Sequence, residues 1–380
     1  MFLNHGSFGA CPSAVLDAQG EWRARMEREP VLFLHRELEH HLDAARASLG
    51  EFLGADPDDL AFVPNATVGV NTVLRSLRLA PGDEVVTTDH EYNACRNALD
   101  SVVASAGARV VQAQIPFPGC TPDGVVDAIA AVLSPRTRLV LIDHVTSPTG
   151  LVFPVERIIA IARARGIDVL VDGAHAPGML DLDLGTLGAA YYTGNCHKWL
   201  CAPKGAAFLW VRRDLQAQVR PLVISHGANS PRTDRSRFRL EFDFVGTGDY
   251  TPFLTVPTAL VTMAGMVTGG FPALRAHNHA LTCYGRDVLC RVLGIPAPAP
   301  DGMLGSLAAV PLPDADAPAL PPLGLDPLQV RLFDEHAIEV PVPAWPRRPK
   351  RLLRISAQAY NTRAQYDHLA AALETCLRRR

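Results

Sequence analysis

The chain has 380 residues, 48% of them hydrophobic and 20% charged, with a formal net charge of −3. That is room for one large domain and a smaller one, and the near-neutral balance excludes the basic footprint of a nucleic-acid binder. The start, MFLNHGSFGACPSAV, has no basic segment before an apolar run, so it reads as no secretory signal, and no stretch reaches the roughly 18 apolar residues of a membrane span.

No repeat of fixed period runs through the chain. Residues 12–54 read as helical: Pro12-Ser-Ala opens one helix, and 36–52 carries Leu38, Leu42, Ala45, Leu49 and Phe52 at helical spacing. Leu60-Ala-Phe-Val is a short strand running into Pro64-Asn-Ala-Thr-Val-Gly-Val-Asn71, a helix that ends near Leu79-Ala-Pro-Gly82. Short apolar strands at 84–88, 109–113, 137–143 and 168–172 then alternate with helices at 93–106, 122–133 and 155–165. Two more strands follow at 189–193 and 206–211. This pattern predicts an α/β fold whose mostly parallel sheet is covered on both faces. Ligands of such sheets bind beyond the carboxyl ends of the strands, where Thr67, His90, Ser147, Asp172 and Lys198 follow a strand directly or within a few residues. After about Thr262 the character changes. Gly-rich Thr268-Gly-Gly-Phe leads to a helix at 276–293 and a proline-dense 295–327, read as an irregular connection. A helix at 330–336, a strand at 351–356 and a closing helix at 362–377 complete a second, smaller unit. The eight cysteines are scattered without a C-x-x-C pair and read as reduced, mostly buried thiols of a cytoplasmic protein.

The chemistry is read from YYTGNCHKWLCAPKG, residues 191–205, where Lys198 and Lys204 interrupt a stretch that is otherwise small, aromatic or apolar. Burial disfavours an ammonium ion, lowers its pKa and frees the amine as a nucleophile. A buried strand, Ile167-Asp-Val-Leu-Val-Asp172, ends in an acid, and Asn65-Ala66-Thr67-Val68 opens a helix after a strand. A nucleophilic lysine, a strand-end acid and a helix start whose amides hold phosphate together match the needs of pyridoxal phosphate. The lysine forms the Schiff base, and the acid keeps the pyridinium nitrogen protonated so that the ring takes up electrons.

FVPNATVGVN, DHVTSPTG, VDGAHAPG with GNCHKW, FVGTGD and LRISAQAYNT, collinear over residues 2–375, resemble the class V group of fold type I pyridoxal-phosphate enzymes. That group includes cysteine desulfurases, kynureninase and small aminotransferases. LNHGSFGACP and HGANSPRTDRSRFRLEFDFVGTGD look most like its isopenicillin N epimerase-like branch, which carries racemases, C–S lyases and decarboxylating or transaminating relatives. The resemblance implies a three-layer, aspartate aminotransferase-like large domain over 13–262, and a smaller α+β domain built from 1–12 and 263–380. It implies Lys198 as the Schiff-base lysine and Asp172 as partner of the ring nitrogen. His175 and Ser147 fall near the phenolic oxygen. Ala66 (through its amide), Thr67, Asn195 and His197 fall around the phosphate. Thr247 matches a phosphate ligand donated by the neighbouring subunit, which implies an obligate homodimer. Arg354 matches the arginine that takes the substrate α-carboxylate bidentately, with Asn4 and His5 beside the substrate. From the Asp89-His90-Glu91-Tyr92 turn, a histidine or aromatic stacks on the ring: His90 aligns best, with Tyr92 the alternative. Residues 341–354 hold no counterpart of the desulfurase cysteine, which argues against persulfide chemistry. The implied reaction is removal of an amino acid's α-proton by Lys198, through an external aldimine and an α-carbanion. Epimerisation follows if His90 or Tyr92 returns a proton from the opposite face. β-Elimination and transamination are the alternatives within the class, and a non-catalytic fold relative is the alternative outside it. A dehydrogenase is disfavoured because no G-x-G-x-x-G follows the first strand.

Taken singly, these residues have plainer readings. Asp172 suits a helix N-cap, His175 and His197 suit satisfied core histidines, and Cys196 and Cys201 suit packed thiols. Lys204 reads as a solvated turn residue. His35, His40 and His41 lack the partners of a metal site and read as an exposed helix face, so no metal is expected. Arg232, Arg235, Arg237 and Arg239 read as surface, or as a clamp for a distal substrate carboxylate.

Overall fold

The computed structural model describes residues 1–316 and 324–378. Short apolar runs form β1 (Leu60–Val63), β2 (Glu84–Thr88), β3 (Arg109–Ala113), β4 (Thr137–Asp143), β5 (Asp168–Asp172), β6 (Tyr191–Asn195) and β7 (Ala207–Val211). They make one sheet in the order β1-β7-β6-β5-β4-β2-β3. Pairing is parallel except at β7, which runs antiparallel to both β1 and β6. Successive side chains of a strand point to opposite faces, and here both faces are core. Val140, Ile142, Val169 and Val171 enter one apolar cluster, while Leu139, Leu141 and Leu170 enter another on the far side. This explains why the strands read as continuous apolar runs and not as an alternation.

Helices supply the two covers. On one side lie α3 (Ala66–Ser76) and α4 (Asn93–Ala106), contributing Val70, Val73, Leu74, Leu99 and Val103. On the other lie α5 (Pro122–Val132) and α6 (Val155–Arg163), with α1 (Ser13–Arg28) and α2 (Leu38–Leu53) packed into the same larger cluster. Local chemistry sets the ends. Asn65 caps α3 by accepting from the Val68 amide, Thr121 caps α5 ahead of Pro122, and Gly107 ends α4 in the left-handed region.

A second sheet has two antiparallel strands, β8 (Leu307–Pro311) and β9 (Leu352–Ser356). It packs on α7 (Gly270–Leu293), whose neighbours include α9 (Arg363–Arg378), with α8 (Pro327–His336) against α9. β8 lies inside the stretch expected to be irregular. Its Leu-Ala-Ala-Val core is free of proline, and Pro311 falls at its last position in a two-stranded sheet, where one edge is unpaired and proline is tolerated. Pro318, Pro321 and Pro322 of that stretch lie outside the described residues.

The first residues are stitched to this second unit. Phe2 bridges Glu339, the Leu3 amide donates to Glu339 O at 3.0 Å, and the Ser356 amide donates to Leu3 O at 2.9 Å. Among the described residues no disulfide joins any of the eight cysteines. Among the described residues no helix is long and apolar enough to cross a membrane.

Candidate active site

The carboxyl ends of β1, β2, β4, β5 and β6 open on a single cavity of about 590 Å3, closed on another side by Ser7 and Phe8. β6 delivers the lysine. After Asn195 the chain turns, with Lys198 O accepting from the Cys201 amide at 3.0 Å and from His5 Nε2 at 3.0 Å. Cys201 pays for the tight turn with φ 56°, a conformation rare outside glycine. Lys198 is half-buried, and its Nζ lies 3.1 Å from His175 Nε2. The Trp199 indole, which can only donate, meets His175 Nδ1 at 3.4 Å. The imidazole hydrogen therefore sits on Nε2 and points at the lysine, a bond that requires a neutral amine as acceptor. The electrostatics agree: burial, and secondarily Arg354, lower Lys198 to about 8, against an opposing pull from Asp172.

The acids gather at the ends of β4, β5 and the turn after β2. Asp143 and Asp172 are register partners, 3% and 2% exposed. Asp172 Oδ1 accepts from the Ala174 amide at 2.9 Å, and Oδ2 from the Cys95 thiol at 3.2 Å. Its pKa is raised by burial. Glu91 brings a carboxylate oxygen within 4.8 Å of Asp172 and is pushed up to about 8 by burial and by Asp172. Asp143 is raised by burial and then by Glu91 and Asp172, and among the described residues its buried Oδ2 has no partner. Three acids this close cannot all ionise without a cation. A protonated pyridine nitrogen is such a cation, so the residues present fit the ring end of pyridoxal phosphate.

The phosphate end also fits, with its roles redistributed. The Ala66 amide is taken by Asn195 Oδ1 at 2.9 Å and the Val68 amide by Asn65 Oδ1 at 2.9 Å. Thr67 lines the cavity, and among the described residues its amide and hydroxyl have no partner. Asn195 thus positions the helix start, and Thr67 is left to meet an anion. Gly69 makes the approach possible, since a Cβ there would lie 2.1 Å from Thr193 Oγ1 on β6. His197 lines the wall and donates through Nδ1 to Ala206 O at 3.0 Å, and among the described residues Nε2 has no partner. Burial and Lys198 lower it to about 4. Thr247 is exposed on the turn after the Arg237–Phe242 helix and does not line this cavity in one protomer.

Arg354, on β9, is 6% exposed and stands behind the wall. It donates to Ser147 O at 2.6 Å and to Ser7 Oγ at 3.0 Å, and among the described residues its buried Nε has no partner. Ser147 and Ser7 both line the cavity. Burial lowers Arg354 to about 10.

Several expectations are corrected. His90 does not reach the cavity: it is fully buried, bonded to Thr149 Oγ1 at 2.8 Å and Ile115 O at 3.0 Å, and packed on Trp345. Tyr92, 45% exposed and immediately before α4, is on the cavity wall instead. His5 is also fully buried, with its second nitrogen 2.7 Å from Tyr360 OH, so it braces the lysine's backbone and does not face substrate. Asn4 donates to Glu339 at 3.0 Å and lines the neighbouring groove. Lys204 is exposed as expected but also donates to Gly9 O at 2.7 Å. His41 is half-buried against Trp22 and not on an open helix face. Of the arginine run, Arg232 and Arg237 are exposed as expected, whereas Arg235 is half-buried and Arg239 buried, and all four are paired with acids. Arg239 is buried among Asp43, Asp58 and Asp243, Arg235 pairs with Asp43, Arg232 with Glu39 and Asp234, and Arg237 with Glu241. None of the four lines the Lys198 cavity. Ser7, Phe8 and Asp143 are wall residues that the sequence reading missed. Asp143 was findable, since it ends a strand paired in register with the one that ends in Asp172.

Residues 9–369 match the family described as aminotransferase class-V. The chain belongs to this family. Relatives of this class V chain include isopenicillin N epimerases, at 39% identity in Amycolatopsis lactamdurans and 36% in Streptomyces clavuligerus, each covering 98% of this chain and 94% of the relative. A probable chloroplastic L-cysteine desulfhydrase of Arabidopsis thaliana is 31% identical over 99% of this chain and 82% of its own. A solved structure of the cystine C–S lyase C-DES with cysteine persulfide superposes with a TM-score of 0.80 at 24% identity, covering 98% and 97%. This class V enzyme has the fold of type I pyridoxal-phosphate enzymes, and pyridoxal phosphate is its cofactor.

Proposed function

We propose that this class V enzyme inverts an amino acid at Cα. The observation that carries the reading is the placement of two proton carriers about the acids. Lys198 comes from β6 and Tyr92 from beyond β2, on opposite sides of the β5–β4 pair that ends in Asp172 and Asp143. No cysteine lines the cavity among the described residues, and the relatives at 36–39% identity are epimerases. When bound, pyridoxal phosphate supplies the electron sink. Lys198, kept neutral by burial and by His175 Nε2–H, takes the α-proton. Asp172 holds the proton of the ring nitrogen. Arg354 exchanges its bonds to Ser147 and Ser7 for the substrate carboxylate. The Tyr92 phenol returns a proton to the other face. Exposed Thr247 supports a homodimer in which it completes the partner's phosphate site.

The test is turnover of an amino-acid panel in deuterated water. Inverted product carrying deuterium at Cα is expected. Tyr92→Phe should slow inversion on the order of 100-fold while α-hydrogen wash-out persists. Lys198→Ala should abolish the cofactor's visible band. Accumulation of keto acid, or of released thiol, without inversion rejects the reading in favour of transamination or C–S lysis.

A further inference from the structure

Two chains of contact join His90 to Arg354. The first runs through the turn over residues 146–150. His90 Nε2 lies 3.0 Å from Ile115 O, which can only accept, so the ring hydrogen sits there. Nδ1 therefore accepts from the Thr149 hydroxyl at 2.8 Å, and Thr149 Oγ1 accepts in turn from the Thr146 hydroxyl at 2.7 Å. All three side chains are fully buried. In the same turn stands Ser147, whose carbonyl accepts from Arg354 Nη1 at 2.6 Å.

The second chain runs through Trp345. Residues 341–345 lie antiparallel to the stretch that leads into β9. The Arg354 amide donates to Pro341 O at 3.1 Å, the Leu352 amide to Pro343 O at 2.9 Å, and the Trp345 amide to Lys350 O at 3.2 Å. Trp345 ends this ladder 9% exposed, edge-on to His90 at 4.6 Å and to Phe117 at 5.6 Å between ring centroids. Among the described residues its buried indole Nε1 has no partner, so ring packing seats it. His90 follows β2 and Phe117 follows β3, whereas Trp345 also packs with Leu352 of β9 and Ala309 of β8. The tryptophan therefore fastens the second sheet to the first beside the site.

His90 is thus fixed by two hydrogen bonds, and it fixes both the turn on which Arg354 rests and the strand from which Arg354 comes. A guanidinium placed in advance loses less freedom when a carboxylate arrives. We infer that His90 is a positioning residue that, through Trp345 and the Ser147 turn, aims Arg354 at the substrate α-carboxylate. The inference rests on the reading that Arg354 takes that carboxylate. It gives the histidine expected on the cofactor ring a different task, one exerted from behind the wall.

The test uses the holoenzyme and two probe pairs that differ by the carboxylate alone, glycine beside methylamine and L-alanine beside ethylamine. Dissociation constants are read from the cofactor's visible absorbance. The acid-to-amine preference of each variant is set against that of the natural protein, so differences in amine basicity cancel. Arg354→Met should lower the preference about tenfold or more. His90→Phe keeps a ring against Trp345 but loses the Thr149 bond, and Trp345→Leu loses the ring contact. Each should lower the preference about fivefold while the amines bind within about twofold of before, because a hydrogen bond weakens steeply once its geometry slips. Trp345→Phe, which keeps an aromatic edge on His90, should hold the preference within about twofold of the natural value. In an Arg354→Met background, Trp345→Leu should change the preference no further. If Trp345→Leu does not fold, His90→Phe decides by the same criterion. Acids that bind the natural protein no better than they bind Arg354→Met overturn the carboxylate reading and the inference with it. A preference that falls in Arg354→Met but survives His90→Phe or Trp345→Leu overturns the inference alone. So does equal weakening of acids and amines, which marks general damage to the fold.

Discussion

At the scale of single residues, the site is a problem of where hydrogens sit. Trp199 and Lys198 are adjacent in sequence, yet they meet opposite nitrogens of one imidazole, His175. The indole can only donate, so it selects the tautomer that offers a hydrogen to the lysine. Trp199→Phe should release that constraint. An Nε2 lone pair could then face Lys198, which favours the ammonium form, and the lysine pKa in the cofactor-free protein should rise from about 8. The pH dependence of cofactor capture reports it. In the natural protein the rate should fall about tenfold per pH unit once the lysine is mostly protonated, and in the variant that fall should begin at higher pH. An unchanged midpoint would remove the indole from the account.

At the scale of elements, the site depends on α3 lying against the end of β6. Gly69 is the contact, and Gly69→Ala drives a methyl into Thr193. Overpacking of this kind costs about 1–3 kcal/mol. It should also displace the Thr67 amide, so thermal melts should drop and cofactor affinity should weaken together. A loss of stability with unchanged affinity would place the phosphate elsewhere. The elements themselves were largely legible. Continuous apolar strands alternating with helices announced a parallel sheet, and strand ends led to Thr67, Ser147, Asp172 and Lys198. What was not legible depended on phase and on distant packing. His90 and Tyr92 are two residues apart in one turn, and only the start of α4 at Asn93 decides which of them faces the cavity. Family resemblance points to Asn4 and His5, whereas the wall is made by Ser7 and Phe8, a few residues on. The arginine run could not be read in full because Glu39, Asp43 and Asp58 lie some 180 to 200 residues earlier in the chain, whereas Asp234, Glu241 and Asp243 are near neighbours in sequence. Pattern reading works where neighbours in sequence are neighbours in space.

At the scale of the whole molecule, the acid cluster makes stability depend on pH in a definite direction. Asp143 is raised in the folded protein, so its contribution is fully present below the unfolded carboxyl range and is lost as pH rises. Asp143→Asn cannot ionise. Melts of the cofactor-free protein should therefore show the variant gaining on the natural chain as pH increases, with a larger difference at alkaline than at acid pH. A difference that shrinks with rising pH would mean that Asp143 is ionised and stabilised in the fold. The stitched opening segment has a different kind of consequence. Residues 1–9 are held by Glu339 and Ser356, His5 grips the carbonyl of Lys198, and Gly9 lies so close that a Cβ there would be 2.2 Å from His197 O. Residues 1–9 thus join parts of the chain that are far apart in sequence, the lysine turn about 190 residues on and Glu339 and Ser356 more than three hundred residues on. One short segment therefore ties the lysine turn to β9, the strand that carries Arg354, so a displacement of either is felt by the other.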